Sequence, residues 1–252
     1  MPSQPILKID SLTVVLPVFN EEKIIEKSLR FLADTLQSVC LDYEILVVDD
    51  GSTDKTGTIL HDLSHTIHGL RVLRHSRNQG LGGALQLGFR EARKTLVFYT
   101  DSDMPFKYSD ISQAVRAMES SGVDIIAGFR KNRAQEGVLR RMCSRAYNFS
   151  VACIYGVRAH DINCAFKLIR SDVLKTVVLK ARGSFIDAEF IIKANYLGFK
   201  IQELGVEYYP REDDVSRLFR FYPIINGFLE MAKLYTDIMR VKRSAVKDWS
   251  VA

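Results

Sequence analysis

LTVVLPV (residues 12–18) is an almost unbroken apolar run. A run of that length, closed by the polar FNEE (residues 19–22), reads as a strand covered on both faces, which is the pattern of a parallel sheet packed between helices. The residues after it fit. Asn20 is placed to cap a helical pattern through about Val39, with Ile24, Ile25, Leu29, Leu32 and Leu36 on one face. YEILVVDD (43–50) repeats the apolar-then-acidic form, GSTD follows, and a helix is expected from about Lys55. A short strand at Leu70–Leu73, a helix from about Gly83 to Arg93 and a strand at Leu96–Thr100 complete the first half. Unbroken alternation of strand and helix predicts a doubly wound α/β fold.

The second half is less regular. VDIIAGFR (123–130), FKLIR (166–170) and FKIQELGVEYY (199–209) read as strands, and Val138–Ile154 and Asp187–Leu197 as helices. From Leu218 to Met239 apolar residues recur at helical spacing, giving an amphipathic C-terminal helix. No linker rich in Pro, Gly or Ser interrupts the chain, so one domain is expected. Its parts are a first half over 10–125, a second over 126–217 and a helical tail over 218–252.

The 252 residues are 47% hydrophobic and 26% charged, the mix of a globular protein with a real core. A net charge of +5 mildly favours anionic partners. Four scattered cysteines without a CxxC pair argue against structural zinc and for a reducing compartment. No window reaches ~18 consecutive apolar residues and no signal core opens the chain, so neither a membrane span nor export is expected.

In an open α/β sheet, ligands bind beyond the carboxyl ends of the strands, and here those ends carry the chemistry. DDGSTD (49–54) places Asp49 and Asp50 beside a glycine turn, and two adjacent carboxylates exceed what capping requires. RNQGLGG (77–83) offers Gly80, Gly82 and Gly83 before a helix, either a plain turn or a nest for phosphate oxygens. In YTDSDMPF (99–106), an extended reading of Asp101-Ser102-Asp103 points both carboxylates the same way. Such a pair calls for a cation in a cleft, and oxygen ligands suit Mg²⁺ or Mn²⁺; the alternative is a solvated, helix-capping loop. Arg130, Arg140, Arg141, Arg211 and Arg217 supply cations suited to phosphate. Acidic strand ends and the lack of a basic-aromatic stripe exclude a nucleic-acid module.

Together these motifs resemble glycosyltransferase family 2, and within it the dolichyl- or polyprenyl-phosphate glycosyltransferases. VVLPVFNEEKIIEKSL, YEILVVDDGSTDKT, RNQGLGGALQLGF, DSD, RRMCSRAYN, HDINCAFKLIRSDVL, GSFIDAEFIIKANYLGFKI and YYPREDDVSR follow that group's order over about residues 12–217. The resemblance implies the GT-A fold, a mostly parallel Rossmann-like sheet flanked by helices. It also implies an inverting, metal-dependent transfer of a hexose from a nucleotide sugar of the GDP-mannose or UDP-glucose type. Pro17, Phe19, Glu21 and Asp49 or Asp50 would surround the nucleobase and ribose, with Gly80 and Ser102 alongside. Asp101 and Asp103 would hold the metal and diphosphate; Arg130, Arg140 and Ser144 the acceptor phosphate. Arg211, Ser216 and Arg217 fall on the group's R-x-x-G-x-S-K closing loop. Pro105 stands where the group often has a metal-binding Gln, and Asp214 where the loop has Gly. The absence of Q-x-x-R-W disfavours a processive synthase.

A lipid phosphate acceptor is already anionic and needs no general base. A hydroxyl acceptor needs one, for which Asp187 and Glu189 are the candidates, although a structural role at the start of their helix is the expected one. A non-catalytic nucleotide-sugar-binding subunit is the third alternative. The C-terminal stripe, ringed by Arg217, Arg220, Lys233, Arg240, Lys242, Arg243 and Lys247, could lie peripherally on the cytoplasmic face of a membrane. Packing on the protein's own sheet or on a second subunit, or on a membrane-embedded partner subunit, are the other expectations for it.

Overall fold

The computed structural model describes residues 9–103, 106–132, 138–209 and 222–249. Seven strands form one sheet: β1 (Ile9–Val18), β2 (Cys40–Asp49), β3 (Leu70–Arg74), β4 (Leu96–Thr100), β5 (Ile125–Arg130), β6 (Phe166–Arg170) and β7 (Ile201–Val206). Their order is β3-β2-β1-β4-β6-β5-β7, so both halves of the chain contribute to the same sheet. LTVVLPV lies in β1, paired in parallel with β2 on one side and β4 on the other, and its one polar side chain, Thr13, is buried and donates to Glu44 at 2.9 Å. Only β6 runs antiparallel, between β4 and β5.

Helices α1 (Ile25–Val39), α2 (Thr56–Ser64), α3 (Leu81–Glu91), α4 (Tyr108–Ser121), α5 (Val138–Tyr155), α6 (Ser171–Thr176), α7 (Ile186–Tyr196) and α8 (Tyr222–Trp249) flank the sheet. Two cores result from the alternation of strand side chains. Val14, Leu16, Ile45, Val47 and Phe98 pack under α1, α2 and α4. Val15, Leu46, Val97 and Tyr99 pack under α3, α5, α7 and α8. In α1, Ile25, Leu29, Leu32 and Leu36 are fully buried, each worth roughly 1.5–3 kcal/mol of burial.

Two local expectations change. The first helix starts at Ile25, and Asn20 does not cap it. Asn20 instead takes the left-handed conformation (φ 55°), which asparagine tolerates better than most residues. From there its backbone N–H donates to Ser52 Oγ at 3.0 Å and its Oδ1 accepts from Thr53 N–H at 2.8 Å. Glu21 N–H likewise donates to Thr56 Oγ1 at 2.8 Å, so the turns after β1 and β2 are clasped together. The six-residue α6 went unrecognised in sequence, being too short to show periodicity.

Among the described residues, part of the C-terminal stripe packs on the protein itself. Met231 and Ile238 of α8 are buried, Tyr155 Oη donates to the Met231 carbonyl, and Tyr235 and Phe228 meet Tyr155 and Tyr147 of α5. Met231 and Ile238 are thereby withdrawn from any membrane contact through α8, while Phe228, Leu229 and Tyr235 are 37% to 54% exposed.

Candidate active site

Strand order reverses between β1 and β4, and at their carboxyl ends lies a cleft of about 400 Å³, where the switch-point rule puts a ligand. Each wall comes from a different strand end: Pro17 in the last residues of β1 with Phe19 and Glu21 after it, Asp50 after β2, Asn78 and Gly80 after β3, Asp101, Ser102 and Asp103 after β4. Phe19 is 44% exposed, leaving a ring face open.

Asp49 does not reach this cleft. It is fully buried, its Oδ1 accepting from Ser52 N–H at 2.9 Å and its Oδ2 lying 3.2 Å from Arg74 Nε. Asp50 points the other way along the strand and lines the cleft, but its oxygens are engaged too. Oδ1 accepts from His75 Nδ1 (2.7 Å) and Gln79 N–H (2.9 Å), and Oδ2 from Gly80 N–H (2.8 Å).

That pattern revises the glycine turn. Gly80 N–H serves Asp50, and Gly82 N–H donates to the Arg182 carbonyl at 2.8 Å, so neither is aimed at a phosphate. The glycines are there for close approach. A Cβ on Gly80 would meet Arg182 O at 2.4 Å, and one on Gly82 would meet Ala181 O at 2.2 Å.

The segment 180–183 thus buttresses the cleft wall, and two carboxylates fix it. Glu189, fully buried, accepts from Lys180 and Ala181 N–H and from Lys193 Nζ at 2.7 Å. Glu230 of α8 accepts from Arg182 and Gly183 N–H, both at 2.8 Å. Asp187 is buried against Lys167 Nζ, which also donates to the Ile162 and Cys164 carbonyls. Burial pushes the Asp187 carboxyl up, with the Lys167 charge opposing. Both carboxylates considered as bases are engaged in these buried ion pairs and lie outside the cleft lining.

Arg130 is likewise occupied. Its guanidinium forks onto Asp161 through Nε (2.6 Å) and Nη2 (3.0 Å) and lies over the Tyr208 ring, so its charge is balanced within the protein. Ser144 sits half-buried on α5, away from the cleft lining. Arg140 lies in α5 with its side chain outside the described residues, as are Pro105, Arg211, Asp214, Ser216 and Arg217 altogether.

The segment 101–103 is a turn instead of an extension of β4, with Asp101 exposed and Ser102 buried. Its two carboxylates face the same cleft with oxygen donors only, which fits a hard divalent ion. Among the described residues no group of three or more His, Cys, Asp or Glu is placed to hold an ion.

Residues 13–178 match the family described as glycosyl transferase family 2. The chain belongs to glycosyltransferase family 2. It is 31% identical over 212 residues to the dodecaprenyl-phosphate galacturonate synthase of Rhizobium johnstonii, covering 82% of this chain and 61% of that protein. It is 30% identical over 234 residues to the undecaprenyl-phosphate 4-deoxy-4-formamido-L-arabinose transferase of Edwardsiella ictaluri, covering 92% and 67%. The dolichyl-phosphate beta-glucosyltransferase of Trichomonas vaginalis is 29% identical over 245 residues, covering 91% and 72%. The chain thus spans about three fifths to seven tenths of the length of these relatives. In fold it resembles mannosyl-3-phosphoglycerate synthase from Rubrobacter xylanophilus (TM-score 0.64, 18% identity, 90% of this chain and 74% of that one). It also resembles Mycobacterium tuberculosis glucosyl-3-phosphoglycerate synthase in complex with Mn²⁺ and UDP-glucose (TM-score 0.60, 21% identity, 87% and 78%). These likenesses carry the GT-A fold.

Within this family 2 cleft, sequence reasoning missed Val18, Leu81 and Ala84, whose apolar character marks them as core, together with Asn78 and the support that His75 gives Asp50. His75 lies between β3 and the glycine turn, where its position at a strand end was the available signal.

Proposed function

We propose that this chain transfers a sugar from a nucleotide sugar to a polyprenyl-type lipid phosphate, with inversion at the anomeric carbon. The observation that carries the reading is the cleft at the β1/β4 switch point, where Pro17, Phe19, Glu21, Asp50, Asp101 and Asp103 converge from three strand ends. Three relatives bearing polyprenyl- or dolichyl-phosphate in their names support the acceptor class. Nucleotide-sugar binding falls to residues 10–125 and acceptor binding to 126–217.

Phe19 offers an open ring on which a nucleobase can stack. Asp50 shapes the opposite wall by fixing the glycine turn. Asp101 and Asp103 would hold a Mg²⁺ or Mn²⁺ ion, which supplies neutralisation of charge on the diphosphate. Mn²⁺ in the solved complex of a fold neighbour supports that ion. A lipid phosphate attacks without losing a proton, so this chain needs no base at the acceptor. The engagement of Asp187 with Lys167 and of Glu189 with Lys193 favours that acceptor over a hydroxyl. With a lipid substrate the protein works at a membrane surface. Among the described residues no helix is long and apolar enough to cross one.

The test is release of nucleoside diphosphate from a panel of nucleotide sugars, with Mg²⁺ or Mn²⁺, in the presence and absence of polyprenyl phosphate. Release that requires the lipid supports the reading. Equal release without it sinks the acceptor assignment.

A further inference from the structure

Two consecutive peptide units join α8 to α3. In the unit between Ala181 and Arg182, the Arg182 N–H donates to Glu230 Oε1 at 2.8 Å and the Ala181 carbonyl accepts from Gln86 Nε2 at 2.6 Å. In the next unit the Gly183 N–H donates to the same Oε1 at 2.8 Å, and the Arg182 carbonyl accepts from Gly82 N–H at 2.8 Å. A trans peptide is planar and carries its N–H and C=O on opposite edges; among the described residues none is cis. Fixing the N–H on one edge therefore aims the carbonyl on the other. Through these two rigid plates, Glu230 orients both oxygens that stand against Gly80 and Gly82.

The carboxylate is well placed to hold them. Phe185, the N-cap of α7, supplies no side-chain cap, and its N–H points to Glu230 Oε2 at 3.4 Å. A negative charge from α8 thus sits at the N-terminal end of α7, where the helix dipole favours it. The approach of α8 depends on Gly227, where a Cβ would meet Tyr147 at 3.1 Å and Ser184 Oγ at 3.3 Å. An ionised acceptor makes stronger hydrogen bonds than a neutral one and polarises the peptides that donate to it. The Arg182 carbonyl becomes a better acceptor for Gly82 in consequence. Beyond the plates, Gly80, Leu81 and Ala84 line the cleft, whereas no described residue of α8 does.

We propose that Glu230 is a positioning residue for the donor nucleotide: from outside the cleft it fixes the 181–183 peptides, these fix the glycine turn, and the turn sets the affinity of the cleft. The docking of α8 is thereby coupled to nucleotide binding. The ligand rests on the nucleotide-sugar reading above; the brace itself does not.

Amide hydrogen exchange at Gly82 reads the brace without any ligand, and titration with UDP and with GDP in the presence of Mn²⁺ reads the cleft. Glu230→Ala should speed exchange at Gly82 roughly tenfold and raise Kd for the tighter nucleotide by about the same factor. Glu230→Gln keeps one acceptor oxygen but loses the charge. It should change both readouts about threefold, and it carries the comparison by itself should the alanine variant not fold. Asp237→Asn is the control, because Asp237 also anchors α8 but does so on the side chains of Lys180 and Lys193. It should leave both readouts at wild-type values. Wild-type exchange at Gly82 in the Glu230 variants overturns the proposal, as does faster exchange with unchanged affinity. Equal losses in Asp237→Asn also overturn it, since they would show only that α8 must stay docked. A wild type that binds neither nucleotide defeats the nucleotide reading, and the exchange comparison then judges the brace alone.

Discussion

His75 Nδ1 donates to Asp50 Oδ1 across 2.7 Å, and the same carboxylate holds the Gln79 and Gly80 amides. One acidic side chain thereby ties the end of β2 to the turn after β3, and the wall of the cleft depends on it. Removing the imidazole frees Asp50 to rotate away from the turn. His75→Ala is expected to raise KM for the nucleotide sugar about tenfold, the equivalent of ~1.5 kcal/mol for one charge-assisted hydrogen bond, with kcat little changed. His75→Asn keeps a donor near Nδ1 and should recover most of the loss. A matching fall in kcat for both variants would speak against a positioning role.

Asp101 and Asp103 face the cleft from a turn and are proposed to hold a divalent ion. Asp103→Ala should lower kcat/KM by roughly 100-fold or more, the scale of losing a preorganised group at a developing charge. Adding EDTA to the wild type should reproduce that loss, and Mn²⁺ should reverse it. Full activity of the wild type in EDTA would remove the ion from the scheme.

The strand ends were readable because each breaks an apolar run with polar residues, and the sheet order put four of them in one place. Their individual roles were not readable. Asp49 and Asp50 are chemically identical neighbours, and only the alternation of the strand turns one into the core and the other into the cleft. Arg130 and Asp161 are 31 residues apart, and Asn20 and Thr53 33 apart, so neither pairing leaves a local trace. The amphipathic period of α8 was correctly seen, yet periodicity reports that a face is apolar and not what covers it.

Gly82 is expected to resist every side chain. A Cβ there would stand 2.2 Å from the Ala181 carbonyl oxygen, inside the backbone that Glu189 and Glu230 hold in place. Gly82→Ala should cost about 1–3 kcal/mol, as overpacking does, and weaken nucleotide binding by displacing the turn. Gly122→Ala is the comparison: its Cβ would meet nothing within 4 Å, so only the left-handed φ of 62° is strained, at about 1–2 kcal/mol. Urea denaturation together with nucleotide titration separates the two. Nucleotide affinity should fall for Gly82→Ala alone, and equal affinities would refute the buttress.

Lys167→Met tests the buried pair with Asp187, and its sign depends on pH. Burial raises the Asp187 carboxyl above its unfolded value, with Lys167 holding it down. Between the unfolded and folded values the native state keeps a proton that the unfolded chain releases, so this group's contribution to stability falls as pH rises through that window. Without Lys167 the folded value climbs further and the window widens. The variant should therefore lose about 3–5 kcal/mol near neutral pH, the cost of an uncompensated buried charge. Below the ordinary carboxylate range, where Asp187 is protonated in both states, the part of the loss due to that charge should vanish. Denaturation at both pH values reads the difference directly: an equal loss at each would show that Lys167 contributes packing and its carbonyl hydrogen bonds alone, and that the charge of Asp187 plays no part.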